Sequence, residues 1–227
     1  DDGHPEIAVG SWGDDDGSMD RGAAWILSLA SDGSVLSEQK ISSTMGGFTG
    51  TLASNDLFGC ALAGLGDLDA DGIEDLAVGA FKSDVSGNDL GAVWILFLNS
   101  DGTVGGHRKI ANGLAGFGGG IDPLDNLGLG LAATDLDADG EADLAVGATG
   151  DDDGGSDNGA AWLVHLNPDG SVSERQKLGD PLDRAGSALA PLGDLDGDGH
   201  RDLAVGSVGV DGGADRGEVW VLFLAAD

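Results

Sequence analysis

A phrase of thirteen residues returns along this chain and constrains its fold more than any other feature. It reads DLDADGIEDLAVG from Asp67, DLDADGEADLAVG from Asp135 and DLDGDGHRDLAVG from Asp194, and a shortened form, DDGHPEIAVG, opens the sequence. In each copy, closely spaced acidic side chains give way abruptly to a short apolar run. The glycines of the phrase recur at intervals of 69, 68 and 59 residues, which indicates an array of similar structural units.

A second set of repeated segments predicts the local structure of each unit. The segments read GAAWILSL from Gly22, GAVWILFL from Gly91, GAAWLVHL from Gly159 and GEVWVLFL from Gly217. These runs and the LAVG runs have the length of strands, and none carries a helical apolar stripe. Both are continuously apolar, which favours strands buried on both faces. Asp-Gly pairs after three of the tryptophan strands indicate short hairpins.

About four strands in each repeated unit is the pattern of propeller blades. We therefore predict an all-β fold, a β-propeller of about four blades with about four antiparallel strands each, the first and last incomplete. One domain is expected over 1–227, with repeat units at 1–57, 58–126, 127–184 and 185–227. Two interpretations stay open: the chain is a segment of a larger ring, or it is a protomer whose ring is completed by homo-oligomerisation.

Charge narrows the classes of partner. The chain has 41 acidic and 10 basic residues and a formal net charge of -31, so nucleic acid and anionic membranes would repel it while cations would be attracted. An apolar content of 41% argues against disorder. No run is long enough to predict membrane insertion. Cys60 is the single cysteine, which excludes an intrachain disulfide and a thiolate metal site.

The repeated acidic phrase has the chemistry of a metal-binding loop. Aspartates occupy positions 1, 3, 5 and 9, and a glycine at position 6 permits a sharp turn. Two carboxylates about 4 Å apart repel by roughly 4 kcal/mol at an effective dielectric constant of 20, so a divalent cation would hold them together. Oxygen ligands at this density favour Ca²⁺ over Mg²⁺, and about three ions per chain are expected.

The predicted ligands are the four aspartate side chains and the backbone carbonyl of position 7 in each loop. They are Asp67, Asp69, Asp71, Ile73 and Asp75; Asp135, Asp137, Asp139, Glu141 and Asp143; and Asp194, Asp196, Asp198, His200 and Asp202. The loop is not an EF-hand, because position 12 is valine in all three copies and a strand follows. The alternative is that all three are solvated turns. The opening copy lacks positions 1 and 3 and is not assigned a site.

At this point the sequence resembles a known family. The stretch from Phe58 to Ala80 resembles the FG-GAP repeat of integrin α-subunit β-propellers and their bacterial relatives. Phe58-Gly59 matches the leading FG, and Gly79-Ala80 matches the start of GAP, with Phe81 in place of proline. The later copies depart from FG, with Leu127-Gly128 and Ala185-Gly186, but keep the acidic loop. The resemblance implies calcium-rigidified blades in a secreted or surface-anchored adhesion or recognition protein.

Other features have competing interpretations. The acidic segments from Gly13 and Gly150 are either solvated hairpin tips or a second cation site. Trp25, Trp94, Trp162 and Trp220 are predicted to pack between blades, and Trp12, outside that pattern, is the aromatic candidate for ligand contact. The DGSVS segment from Asp169 is read as a turn rather than an adhesion-type metal motif. Neither the histidines nor any catalytic motif marks an active site, so we predict no enzyme activity.

Three functional hypotheses follow. The first is a calcium-binding extracellular module for structure, adhesion or protein interaction. The second is a lectin-like propeller that binds glycans, and the third is a non-catalytic propeller appended to a secreted enzyme. Calcium at the millimolar level outside cells would favour a secreted or cell-surface location. The acidic surface, and the near absence of cysteine and absence of glycosylation sequons, favour a bacterial protein.

Overall fold

The apolar runs of the repeats form the central strands of four antiparallel sheets. The computed structural model describes residues 4–84, 87–136, 140–153, 159–178, 185–210 and 216–225. Within these ranges all the regular secondary structure is β-strand. We call the four sheets blades 1 to 4 in chain order.

The strand bounds show the repeat directly. Blade 1 contains β1 Glu6–Ser11, β2 Ala23–Leu29 and β3 Val35–Ser42. Blade 2 contains β4 Leu62–Gly66, β5 Asp75–Ala80, β6 Ala92–Leu98 and β7 Val104–Ile110. Blade 3 contains β8 Leu127–Thr134, β9 Asp143–Ala148, β10 Ala160–Leu166 and β11 Val172–Leu178. Blade 4 contains β12 Ala185–Gly193, β13 Asp202–Val210 and β14 Arg216–Leu222.

Each blade is a meander in which consecutive strands pair antiparallel. In blade 2, for example, Trp94 of β6 lies opposite Val78 of β5 and Lys109 of β7. The hairpin between β6 and β7 is closed by Asp101, whose Oδ1 accepts bonds from the Thr103 N–H at 3.0 Å and hydroxyl at 2.6 Å. The predicted all-β propeller fold is confirmed.

The blades stack face to face, which explains the continuous apolar runs. Both β5 and β9 are buried along their whole length because a neighbouring blade covers each face. One apolar cluster joins blades 1 and 2, a second joins blades 2 and 3, and a third joins blades 3 and 4. The prediction that the LAVG and tryptophan strands are buried on both faces is therefore confirmed for blades 2 and 3. It is wrong for β1 of blade 1 and β14 of blade 4, whose side chains are largely exposed because another blade of the described structure packs on only one face of each of these sheets.

Backbone contacts lock consecutive blades together at the FG position. Gly91 makes a parallel bridge with Leu127, and equivalent bridges join Gly22 to Phe58 and Gly159 to Ala185. The chains approach so closely that a Cβ at Gly79 would collide with the carbonyl of Gly128 in the next blade. Because the bridge is made by backbone atoms, the FG aromatic can be replaced by leucine or alanine without losing it.

Candidate metal centre

The acidic loop of blade 2 joins β4 to β5 and gathers its first three aspartates. Carboxylate oxygens of Asp67, Asp69 and Asp71 lie within 4.8 Å of one another, and all three residues are exposed. Backbone N–H groups curl the loop. Gly72 donates to Asp67 Oδ2 at 2.9 Å and Ile73 donates to Asp71 Oδ1 at 2.8 Å. The loop thus holds three carboxylates together, and no basic side chain in the described part of the chain forms an ion pair with them.

The blade 4 loop repeats this geometry between β12 and β13. The Gly199 N–H donates to Asp194 Oδ2 at 3.0 Å, and the His200 N–H donates to Asp198 Oδ1 at 2.8 Å. Here the oxygens within 4.8 Å of one another belong to Asp194, Asp196 and Asp202. Two of the three predicted loops therefore bring carboxylates together in the described part of the chain.

The blade 3 loop is described only in part, since Asp137 and Asp139 lie outside the described residues. Asp135 Oδ2 accepts a bond from the Gly140 N–H at 3.1 Å, matching the first and sixth positions of the other loops. The other oxygen, Asp135 Oδ1, is buried and has no hydrogen-bond partner among the described residues. A buried carboxylate oxygen without a donor is costly, so this atom suits a cation ligand.

The ninth-position aspartates have a second role that the sequence reasoning missed. Asp75 is buried, and its carboxylate accepts bonds from the backbone N–H of Leu68 and of Leu98, both at 3.1 Å. Asp143 and Asp202 accept the same two bonds from their own blades. Each such aspartate fastens the acidic loop to the end of the tryptophan strand. The signal available in the sequence was the nearly constant separation between this aspartate and the end of the tryptophan strand, which is 23, 23 and 22 positions in blades 2, 3 and 4.

Burial also changes the chemistry of this carboxylate. It raises the pKa of Asp75 to about 6; nearby Asp69 adds to the increase, and the N–H groups of Leu98 and Leu68 oppose it. A bound divalent cation would lower the pKa again. In blade 4 the gathered carboxylates include the ninth-position Asp202, whereas in blade 2 they include the fifth-position Asp71 and not Asp75. The role of the ninth position as a metal ligand therefore stays a prediction. The backbone carbonyls of Ile73, Glu141 and His200 also stay predicted ligands.

The other acidic segments are neutralised by lysine. Lys40 Nζ lies 2.7 Å from Asp14 and 2.8 Å from Asp16, and Lys177 Nζ lies 2.5 Å from Asp151 and 2.6 Å from Asp153. A lysine ammonium thus lies at the place where a second cation site was one of the two interpretations of these segments. The signal available in the sequence was a lysine that recurs at the equivalent position of β3, β7 and β11, opposite the tryptophan of the preceding strand. In blade 2, where Ser83 replaces the first aspartate, Lys109 Nζ donates to its hydroxyl at 2.8 Å.

Three of the four repeated tryptophans lie between blades as predicted, with Trp220 partly buried against the cluster that joins blades 3 and 4. The prediction does not hold for Trp25, which is half-buried and belongs to none of the three clusters between blades. Trp94 and Trp162 are buried between blades, with Lys109 and Lys177 over their rings. Trp12 is 57% exposed in the loop after β1. The DGSVS segment is a turn in which Asp169 Oδ1 accepts bonds from the N–H and hydroxyl of Ser171, so that oxygen is already engaged.

The residues present fit a hard divalent cation. The two gathered groups offer only carboxylate oxygens, the ligand type that Ca²⁺ and Mg²⁺ take. No helix in the described ranges could span a membrane.

Face-to-face antiparallel blades with a repeated acidic loop define a β-propeller repeat protein. The family model described as FG-GAP repeat matches residues 58–96, 127–164 and 185–222, which lie in blades 2, 3 and 4. The chain belongs to the FG-GAP repeat family, and the resemblance noted in the sequence is confirmed.

Curated relatives include integrin subunits and an enzyme. Integrin alpha-7 of Rattus norvegicus is 42% identical over 83 residues, covering 35% of this chain and 7% of the relative. Phosphatidylinositol-glycan-specific phospholipase D of the same species is 32% identical over 165 residues, covering 70% and 20%. Integrin alpha-5 of Xenopus laevis is 31% identical over 157 residues, covering 64% and 14%. The chain thus spans a fifth or less of each of these relatives.

Proposed function

We propose that this chain is a calcium-binding module of a secreted or cell-surface protein, with a structural role in adhesion or protein interaction. The observation that carries the proposal is the repeated group of carboxylates at the same point of blades 2 and 4, with which no basic side chain among the described residues forms an ion pair. The unpartnered oxygen of Asp135 extends the pattern to blade 3. In each loop the metal would offset the repulsion between carboxylates that the fold has already brought together.

Calcium is the cation that this ligand set favours. Ca²⁺ tolerates six to eight oxygen ligands in flexible geometry, whereas Mg²⁺ demands a near-ideal octahedron and keeps its waters. We assign the aspartates at positions 1, 3, 5 and 9 and the carbonyl at position 7 as ligands, for about three ions per chain. Exposed carboxylates in a loop of this kind suit the millimolar calcium found outside cells.

The adhesion or interaction role is supported by the relatives. Two of them are named integrins, and this chain belongs to the FG-GAP repeat family. We propose that the propeller presents a rigid surface and performs no catalysis, that residues 1–227 form one domain with the four repeat units predicted above, and that the source is bacterial. A non-catalytic rigid scaffold would depend on calcium for stability, not for chemistry.

Calcium stoichiometry and thermal unfolding of one chelated and reloaded sample test the metal assignment. We expect about three ions per chain and a melting temperature that falls on chelation, because a ligand that binds only the folded state stabilises it. The matched variant Asp67→Asn with Asp69→Asn should lose one ion and keep the rest. Unchanged stoichiometry in that variant, or no calcium binding by the wild type, would overturn the assignment.

A second function is favoured by the phospholipase relative. The matched region covers 70% of this chain but 20% of that enzyme, which suits a propeller appended to a separate catalytic domain. We expect the isolated chain to release no product from a glycosylphosphatidylinositol substrate. Turnover that is abolished by substituting residues of this chain would contradict the non-catalytic role.

A further inference from the structure

The acidic loop of blade 2 reaches the interfaces on both sides of its blade. Leu68, at position 2 of the loop, is buried in the apolar cluster that joins blades 2 and 3. Ile73, at position 7, is partly buried and packs against the cluster that joins blades 1 and 2. The exposed aspartates of the loop and both interfaces are therefore linked by one short segment, from Asp67 to Asp75.

The loop of blade 3 is placed in the same way. Leu136, at its position 2, is buried in the cluster that joins blades 3 and 4. Ala142, at position 8, packs against the cluster that joins blades 2 and 3, to which Leu68 of the preceding loop also belongs. One apolar cluster is thus shared by the acidic loops of two neighbouring blades.

The hairpin between β10 and β11 gives a second link between the same two loops. The ninth-position Asp143 holds the blade 3 loop to the start of this hairpin. The turn of the hairpin rests on β6 of blade 2, since a Cβ at Gly170 would lie 3.1 Å from Phe97 Cζ. Phe97 directly precedes Leu98, the residue whose N–H is bound by Asp75 of the blade 2 loop.

Without a cation, the first aspartates of the loop should move apart. Oxygens of Asp67, Asp69 and Asp71 lie within 4.8 Å of one another, and carboxylates about 4 Å apart repel by roughly 4 kcal/mol at an effective dielectric constant of 20. Leu68 lies between the first two aspartates in the chain, so it moves with them. Because protein interiors are close-packed, a displaced side chain in the shared cluster disturbs its neighbours there.

We propose that calcium binding is cooperative between neighbouring blades, with the loops of blades 2 and 3 coupled through the cluster that contains Leu68 and contacts Ala142. The inference rests on the proposed calcium-binding function and adds that the sites fill together. Such coupling is reciprocal and typically changes affinity about 5- to 150-fold. Since each blade contacts only its neighbours, blades 2 and 4 are coupled only through blade 3.

A calcium titration followed by NMR spectroscopy tests the coupling site by site. The N–H groups of Gly72, Gly140 and Gly199 donate to the first aspartate of their loops, so their signals should report binding in blades 2, 3 and 4 separately. Asp67→Ala removes a predicted ligand at an exposed position, so the variant should fold and lose the blade 2 site. It should raise the calcium concentration at half-saturation of Gly140 by at least about fivefold, and that of Gly199 by less.

Two further variants separate coupling from a general loss of stability. Leu68→Ala shortens the side chain in the shared cluster and keeps every predicted ligand, so adding Asp67→Ala to it should shift the Gly140 midpoint by less than about twofold. Leu96→Ala shortens a leucine that is fully buried in the cluster between blades 1 and 2. Adding Asp67→Ala to this control should still produce the full shift.

The outcomes distinguish the coupling from the proposed function. An Asp67→Ala protein in which Gly140 responds at the wild-type calcium concentration would overturn the coupling, as would a shift that Leu96→Ala suppresses as fully as Leu68→Ala does. In both cases blade 3 still binds calcium, so the proposed function stands. A wild type in which none of the three glycines responds to calcium would overturn both.

Discussion

The buried carboxylate of Asp75 accepts a hydrogen bond from the backbone N–H of Leu98, 23 positions further along the chain, at 3.1 Å. It also accepts one from Leu68 within its own loop. These hydrogen bonds therefore hold the acidic loop to the end of β6 without the help of a metal ion. Because Asp143 and Asp202 make equivalent bonds, the same fastening recurs in blades 3 and 4.

Removal of the two hydrogen bonds to Asp75 should destabilise the calcium-free protein. Asp75→Ala leaves two buried N–H groups unpaired, at about 1–3 kcal/mol each, so the free energy of unfolding in chelator should fall by about 2–6 kcal/mol. Urea unfolding followed by tryptophan fluorescence measures this change. The matched variant is Asp67→Ala, an exposed position of the same loop, which should change stability in chelator little and remove one calcium site. If both variants lose the same stability in chelator, Asp75 does not have the separate structural role assigned to it.

The loop glycines should differ in how well they accept a side chain. Gly199 has a φ of 97° and Gly197 a φ of 81°, and neither has an atom within 4 Å of an added Cβ. In blade 2 the position equivalent to Gly197 is Ala70, which adopts a φ of 61°, whereas the position equivalent to Gly199 is again glycine. Gly199→Ala should therefore cost about 1–2 kcal/mol of unfolding free energy through backbone strain.

Gly197→Ala is the control within the same loop. Since alanine already occupies this position in blade 2, its cost should be below that of Gly199→Ala, and both variants should be compared by chemical unfolding and by calcium affinity. A larger loss for Gly197→Ala would mean that the loops of blades 2 and 4 do not share one backbone conformation.

The lysines over the tryptophan rings should differ in importance from blade to blade. Lys177 neutralises Asp151, a carboxylate whose side chain is almost fully buried, so Lys177→Met leaves that charge unpaired. We expect a loss of about 2–4 kcal/mol, toward the lower end of the range for broken buried pairs because the lysine is partly solvated. Thermal and urea unfolding measure it.

Lys109→Met is the matched variant. Lys109 donates to the Ser83 hydroxyl rather than to a carboxylate, and burial lowers its pKa, so its replacement by an apolar side chain should change stability by less than about 1 kcal/mol. If the two lysine variants lose the same stability, the role of Lys177 is packing over the ring and not neutralisation.

Asp125 should make stability depend on pH. Burial raises its pKa to about 6, Asp151 and Asp122 add to the increase, and the Asp122 N–H opposes it. Because the folded state binds this proton more tightly than the unfolded state, the stabilisation is fully present below about pH 4 and is lost as the pH rises through about 6. Asp125→Asn mimics the protonated acid, so the variant should gain stability over the wild type between these two pH values.

The test is to measure the unfolding free energy of Asp125→Asn and of the wild type in chelator at several pH values. The difference between the two proteins isolates the contribution of Asp125 to the pH dependence, because the other carboxylates are common to both. A rise of about 1–3 kcal/mol from pH 4 to pH 7 is expected. A difference independent of pH would show that the pKa of Asp125 is the same in the folded and unfolded protein, and would contradict the prediction.

The central strands were predictable because burial on two faces leaves a direct mark in the sequence. β5 and β6 of blade 2 fall on the LAVG and WILFL runs, and the hairpins fall on the Asp-Gly pairs. The clusters at Asp67 and Asp194 were predictable for a similar reason, since alternate residues of a tight loop lie close together whatever surrounds them.

The partners of Asp14, Asp16 and Asp151 were not predictable from local pattern. Whether an acidic loop holds a lysine or a metal depends on which side chain of a strand further along the chain points at it, and Lys40 and Lys177 reach theirs only after β3 and β11 have paired with β2 and β10.

The sequence by itself determined the repeat, the all-β class, the propeller family and the spacing of the acidic loops, because these depend on residues close together in the chain. Only the tertiary structure decided that the ninth aspartate binds the end of the tryptophan strand and that lysine neutralises the other acidic loops. Each of these depends on contacts between strands or blades, and the physical reason is that burial and hydrogen bonding belong to the packed assembly of blades.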